Sequence, residues 1–129
     1  MRMFFFPFLL ALASPGAAQA PPRAAPPPVV TVRLDSFDFT PGEIHLRGGR
    51  PVLLRLLNES GRRHNFSAPA FFAAAAVAAG QPRVAGGEIE VPPHGRVEIL
   101  LTPARGGYEL ECSHSGHALL GMEGMIVVE

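Results

Sequence analysis

Residues 107–129 read Gly107-Tyr108-Glu109-Leu110-Glu111-Cys112-Ser113-His114-Ser115-Gly116-His117-Ala118-Leu119-Leu120-Gly121-Met122-Glu123-Gly124-Met125-Ile126-Val127-Val128-Glu129. A strand-like run, Tyr108 to Glu111, leads into Cys112, the only cysteine of the chain, and a second strand-like run, Met125 to Val128, follows. Between them lie His117 and Met122. Thiolate, imidazole and thioether are soft or borderline donors, and as a set they suit copper rather than calcium or magnesium. The spacing predicts two paired strands joined by a metal-ligating loop.

The texture upstream is that of the same fold. Val30, Val32 and Leu34 alternate with Thr31, Arg33 and Asp35, the period of a half-buried strand. Phe37 and Phe39 continue the alternation up to a Thr40-Pro41-Gly42 turn. Glu43 to Arg47 reads as a short strand with Ile44 and Leu46 on one face, Gly48-Gly49 as a turn, and Val52 to Asn58 as the longest strand. Glu88 to Val91 is a further strand, Pro92 to Gly95 a turn, and Arg96 to Thr102 a strand with Val97, Ile99 and Leu101 inward. One stretch differs: Ala70 to Ala79 is dense in alanine and ends at Gly80, which predicts a helix lying as a lid on the strands, with Pro69 in an early helical position. Seven or eight short strands with one short helical insertion predict an all-β protein, a β-sandwich.

The chain has 129 residues, enough for one domain. All eleven of its basic residues are arginine, balanced by eleven acids. That balance, with Arg62-Arg63 as the only basic doublet, leaves no phosphate-tracking patch and excludes nucleic acid as a partner. At the N-terminus Arg2 precedes an apolar run, Met3 to Ala13, followed by small residues through Ala20. This is the pattern of a cleavable signal peptide over residues 1–20, too short to span a bilayer, with the cut near Ala18 or Ala20. It predicts an exported, periplasmic protein, associated with a membrane only if that segment is left uncleaved. Residues 21–28 read as an extended proline/alanine linker and 29–129 as the folded domain. In an oxidising compartment a lone cysteine has no disulfide partner within its chain, which leaves metal ligation as a role for Cys112 beside an inert buried thiol or an intermolecular bridge.

A mononuclear copper site of the His2Cys type with a long axial methionine needs one imidazole more than the loop supplies beyond His117. His45, His64, His94 and His114 are the candidates. His114 lies two residues from Cys112, where a tight loop is poorly placed to aim three side chains at one ion. His94 sits in a turn, and His45 alternates out of phase with Ile44 and Leu46. His64 follows the longest strand, in a connection at one end of the sandwich, which favours it.

Asn58, His64-Asn65-Phe66 and the run Gly107-Tyr108-x3-Cys112-x4-His117-x4-Met122-x-Gly124-x-Ile126-x-Val128 together resemble the cupredoxins, the plastocyanin- and azurin-like blue copper proteins. The resemblance extends from about Val30 to Glu129. It implies a Greek-key β-sandwich holding one type 1 copper ion, with His64, Cys112 and His117 as equatorial ligands and Met122 as the axial one. It further implies that Asn65 hydrogen-bonds to the backbone at Ser113, bracing the two ligand loops. The edge of the His117 ring, with Ala118, Leu119 and Leu120 around it, would then be where redox partner proteins dock. Pro69 to Gly87 departs from the pattern as an insertion, and Met125 takes a strand position suited to core packing. The function implied is one-electron transfer, with copper delivery, storage or sensing as the alternative. Substrate turnover is not expected, because the chain has neither the paired His-x-His motifs of a trinuclear copper cluster nor the second cysteine of a binuclear one.

Overall fold

The computed structural model describes residues 12–129, so the first part of the expected signal peptide, residues 1–11, lies outside the described residues. Residues 12–28 are exposed and form no regular structure. Among the described residues no helix is long and apolar enough to cross a membrane.

From Val29 onward the chain builds ten strands: β1 (Val29–Asp35), β2 (Asp38–Thr40), β3 (Glu43–Leu46), β4 (Val52–Asn58), β5 (His64–Ser67), β6 (Ala76–Val77), β7 (Glu88–Val91), β8 (Arg96–Thr102), β9 (Gly106–Glu111) and β10 (Glu123–Val128). They form two five-stranded sheets, one in the order β2-β1-β4-β8-β6 and the other in the order β3-β10-β9-β5-β7. The chain crosses from sheet to sheet as it goes. Two of the resulting pairings, β1 with β4 and β3 with β10, are therefore parallel among otherwise antiparallel neighbours. This is a Greek-key β-sandwich.

The alternation in the sequence becomes the core. Val32 and Leu34 of β1, Leu54 and Leu56 of β4, and Ile99 and Leu101 of β8 are buried against Ile44, Phe66, Ile89, Val91, Leu110 and Ile126 of the other sheet. Each such side chain contributes about 1.5–3 kcal/mol by leaving water. Val97, expected inward, is only half-buried at the start of β8.

Three expectations are corrected. The helix does not run from Ala70 to Ala79: α1 spans only Pro69–Ala74, with Pro69 in its first turn, and Ala75 is already extended. Ala76 and Val77 instead pair with Thr102 and Leu101 at the edge of β8, and the amide of Ala78 donates to the carbonyl of Leu100. Alanine's helix preference amounts to tenths of a kcal/mol per residue, and pairing at an otherwise open edge overrides it. What there is of the helix does pack on the sandwich as expected, with Phe71 and Phe72 buried in the core, edge-on to Tyr108 and Phe66 respectively. Met125, expected to pack in the core, points outward: it is one residue out of phase with the buried Ile126 and Val128. Phe37 does not continue a strand but sits in the β1–β2 turn with φ 68°.

A candidate metal centre at one end of the sandwich

Three connections meet at one end of the two sheets. The first is the β4–β5 loop, which Asn58 ties down. Its Nδ2 reaches the carbonyls of Arg62 at 2.7 Å and of Val91 and Pro92 at 3.1 Å. Its Oδ1 accepts from the amide and hydroxyl of Ser60 at 3.0 and 2.9 Å. Asn58 is itself buried, so these bonds fix the loop as a unit and set where β5 begins, at His64. The second connection is the β9–β10 loop, in which the amide of Cys112 donates to Met122 O and the amide of Met122 to His117 O, both at 3.1 Å. A short 3-10 turn, Ala118–Leu120, closes it, ending on Gly121 in the left-handed region at φ 96°. The third is the β1–β2 turn bearing Phe37.

Asn65 joins the first two. Its Oδ1 accepts the backbone N–H of Ser113 at 2.8 Å, and its Nδ2 donates to Ser113 Oγ at 2.6 Å and to Glu88 Oε2 at 3.3 Å. The amide of Asn65 lies 3.5 Å from Cys112 Sγ, a weak N–H···S contact.

These anchors bring His64, Cys112 and His117 together, their donor atoms all within 4.8 Å of one another. His64 Nδ1 and His117 Nδ1 are 3.2 Å apart; Cys112 Sγ is 3.3 Å from His117 Nδ1 and 3.9 Å from His64 Nδ1. A metal bound about 2.0–2.3 Å from nitrogen and sulfur donors requires donor–donor edges of roughly 3.3–3.8 Å; the edges of 3.2, 3.3 and 3.9 Å lie close to that range, the longest being the one between Cys112 Sγ and His64 Nδ1. Three Lewis-basic atoms face one another, and a cation between them would turn that mutual repulsion into attraction. The residues fit a metal, and the donor chemistry fits copper. Met122 is fully buried in the same loop. Of the other histidines, His45 is exposed and pairs with Glu43, and His94 is exposed in a turn. His114 stands beside the triangle without joining it, its Nε2 2.6 Å from Glu90 Oε1.

Burial governs the protonation of the three donors. It is the first cause holding His64 below the ordinary imidazole value, reinforced by the charges of His117, His114 and Arg62 and opposed by Asp35. His117 is lowered for the same reason, with His114 and Arg62 adding. Burial pushes the Cys112 thiol up; backbone N–H groups of Asn65 and His114 pull it down, and the charges of Glu90 and Glu88 push it further up. The two imidazoles are thus kept neutral and ready to donate electron pairs, while the thiol keeps its proton until something displaces it. Nε2 of His64 is buried without a hydrogen-bond partner among the described residues.

Phe37 escaped the sequence reading of this site. It touches the His117 ring edge-on, centroids 5.1 Å apart at 79°. A phenylalanine within a strand-like alternation carries no sequence signal for a left-handed turn.

No family model and no curated protein sequence matches the chain. Solved structures do. Auracyanin B aligns with a TM-score of 0.60 at 22% identity, covering 83% of this chain and 92% of that one. A dithionite-reduced auracyanin from Roseiflexus castenholzii aligns at 0.59 and 19%, covering 82% and 99%. Auracyanin A, a "blue" copper protein from Chloroflexus aurantiacus, aligns at 0.54 and 23%, covering 78% and 99%. At these identities the likeness is one of fold: the chain has the cupredoxin-like β-sandwich fold that these structures share.

Proposed function

We propose that the protein is an exported type 1 (blue) copper protein that carries single electrons, holding one copper ion between His64, Cys112, His117 and Met122. The observation that carries this reading is the convergence of two imidazole nitrogens and one cysteine sulfur at one end of the sandwich, with His64 and Cys112 fully buried. Copper bound there would gain and lose one electron between its two common oxidation states. The work of the chain is to keep the donors in place while that charge changes. Cys112 and Met122 are joined through backbone hydrogen bonds, His64 begins a strand paired with β7, and Asn65 locks the two ligand loops together. Partners in such a hydrogen-bonded shell orient ligands and tune the metal they hold. The structural likeness to auracyanins, one of them a blue copper protein, supports the same reading.

Access to the site also favours a carrier. His64, Cys112 and Met122 are buried, and only His117 is partly open to solvent. Beside it Leu119 and Leu120 are 94% and 61% exposed, an apolar surface on which a redox partner protein can dock next to the His117 ring. Delivery, storage or sensing of copper would be better served by exposed, exchangeable ligands. The signal-peptide pattern of residues 1–20 supports export, with membrane association only if that segment stays attached. This reading involves no substrate turnover.

The test is titration with Cu(II). One equivalent should produce an intense blue thiolate-to-copper band and a narrow copper hyperfine splitting in electron spin resonance, and Cys112→Ser should lose both. Colourless Cu(II) binding by the wild type would sink the assignment. Reversible one-electron cycling without metal loss separates carriage from delivery, which would show as ready release of Cu(I) to a chelator.

A further inference from the structure

His117 is the one member of the donor triangle that water can reach, and among the described residues its ring is engaged by hydrogen-bond geometry only at Nδ1. The torsion that sets an imidazole plane is broad and roughly two-fold, so something other than that torsion must hold the ring. Its aromatic neighbours are His64 at 5.0 Å, Phe37 at 5.1 Å and His114 at 5.6 Å between centroids. Phe37 alone among them carries no titratable or metal-ligating group. It meets His117 at 79°, the edge-to-face arrangement that aromatic pairs prefer.

Phe37 is held there against its own backbone preference. Its φ of 68° places a bulky side chain in the left-handed region, an outlier for such a residue. Strain of this kind persists only where the surroundings impose it, and it gathers at functional sites. Arg62 also lies over the ring, its guanidinium carbon 6.0 Å from the Phe37 centroid, at the limit of a cation–π contact. The backbone of Arg62 is itself fixed, its carbonyl accepting from Asn58 Nδ2 and Ser60 Oγ.

We propose that Phe37 is a positioning residue for the metal centre: in contact with both Arg62 and His117, it fixes the plane of the His117 ring and keeps water and small ligands from the exposed side of the site. Its role in electron carriage rests on the copper reading above, but its hold on the ring does not. Without it, His117 would turn about its side-chain torsions and open a coordination position.

Three variants test this. Phe37→Gly removes the ring and relieves the backbone strain, Phe37→Asn removes the ring with a residue that tolerates positive φ, and Phe37→Tyr keeps the ring. In the metal-free protein, the ring-proton resonances of His117 should be single and ring-current shifted in the wild type and in Phe37→Tyr. In Phe37→Gly and Phe37→Asn they should lose that shift and broaden or divide. In the copper-loaded protein, added azide or imidazole should change the blue band of the glycine and asparagine variants and leave those of the wild type and Phe37→Tyr unchanged. Unaltered His117 resonances in Phe37→Gly and Phe37→Asn would overturn the proposal. A wild type that never turns blue, but whose His117 resonances respond to these variants as described, would remove the copper reading and leave the positioning role standing.

Discussion

At the scale of single residues the site is a set of proton acceptors withdrawn from water, and its pH dependence follows from that. His64 and His117 have folded values below the ordinary 6.5. Above 6.5 neither the folded nor the unfolded imidazoles bind protons, so their contribution to stability is flat. As the pH falls below 6.5 the unfolded chain takes up protons that the folded chain refuses, and stability declines until the pH has passed the folded values. Cys112 works from the other side. Its thiol is raised above the ordinary 9.0, so as the pH rises through 9.0 the unfolded chain ionises first and stability declines again. The thermal midpoint of the metal-free protein should therefore fall on both sides of a plateau between these values. Cys112→Ala should remove the alkaline decline and leave the acid one. An alkaline limb unchanged in that variant would show that Cys112 is not its source.

At the scale of elements, α1 shows how little of a short helix is its own doing. Six residues are far below the roughly 12–15 that hold a helix together in water, and the element stands because Phe71 and Phe72 are sunk in the sandwich. Phe71→Ala should cost about 3–5 kcal/mol, whereas Ala73→Gly, on the exposed side, should cost about 1 kcal/mol. Denaturant midpoints would separate the two, and equal small losses would mean that α1 merely rests on the sheets. The same element marks the limit of what the chain reveals unfolded. β1, β4 and β8 were legible because one buried face stamps a period of two on the sequence. The end of α1 was not, because Ala76 and Val77 answer to an edge of β8 some twenty-five residues away. The loop carrying Cys112, His117 and Met122 was legible as a cluster of soft donors within eleven residues. Which histidine would face it depended on which connection the topology brings to the same end of the sandwich, and spacing alone left four open. Phe37 was not legible at all, since its position comes from a left-handed backbone that nothing local encodes.

At the scale of the whole molecule, fold and site are separable in energy though joined in space. The core is a continuous apolar cluster between the sheets, and Cys112 and Met122, carried by the β9–β10 loop, belong to it. Small metal domains that lack such a core unfold when the metal is removed; this chain has the buried surface to stand without one. The donor triangle is closed by the β4–β5 and β9–β10 loops, both anchored by hydrogen bonds that need no ion. The metal-free protein should therefore show a β-rich circular dichroism spectrum and unfold cooperatively. Metal should add stability by mass action alone, about 2.7 kcal/mol at a free concentration one hundred times its Kd. For a domain near one hundred residues that corresponds to a rise in Tm of roughly 10–20 °C. Cys112→Ser should keep the metal-free fold and lose most of that rise. A metal-free chain with a random-coil spectrum would instead mean that the two loops are built by the ion, and that the preformed triangle is not a property of the sequence alone.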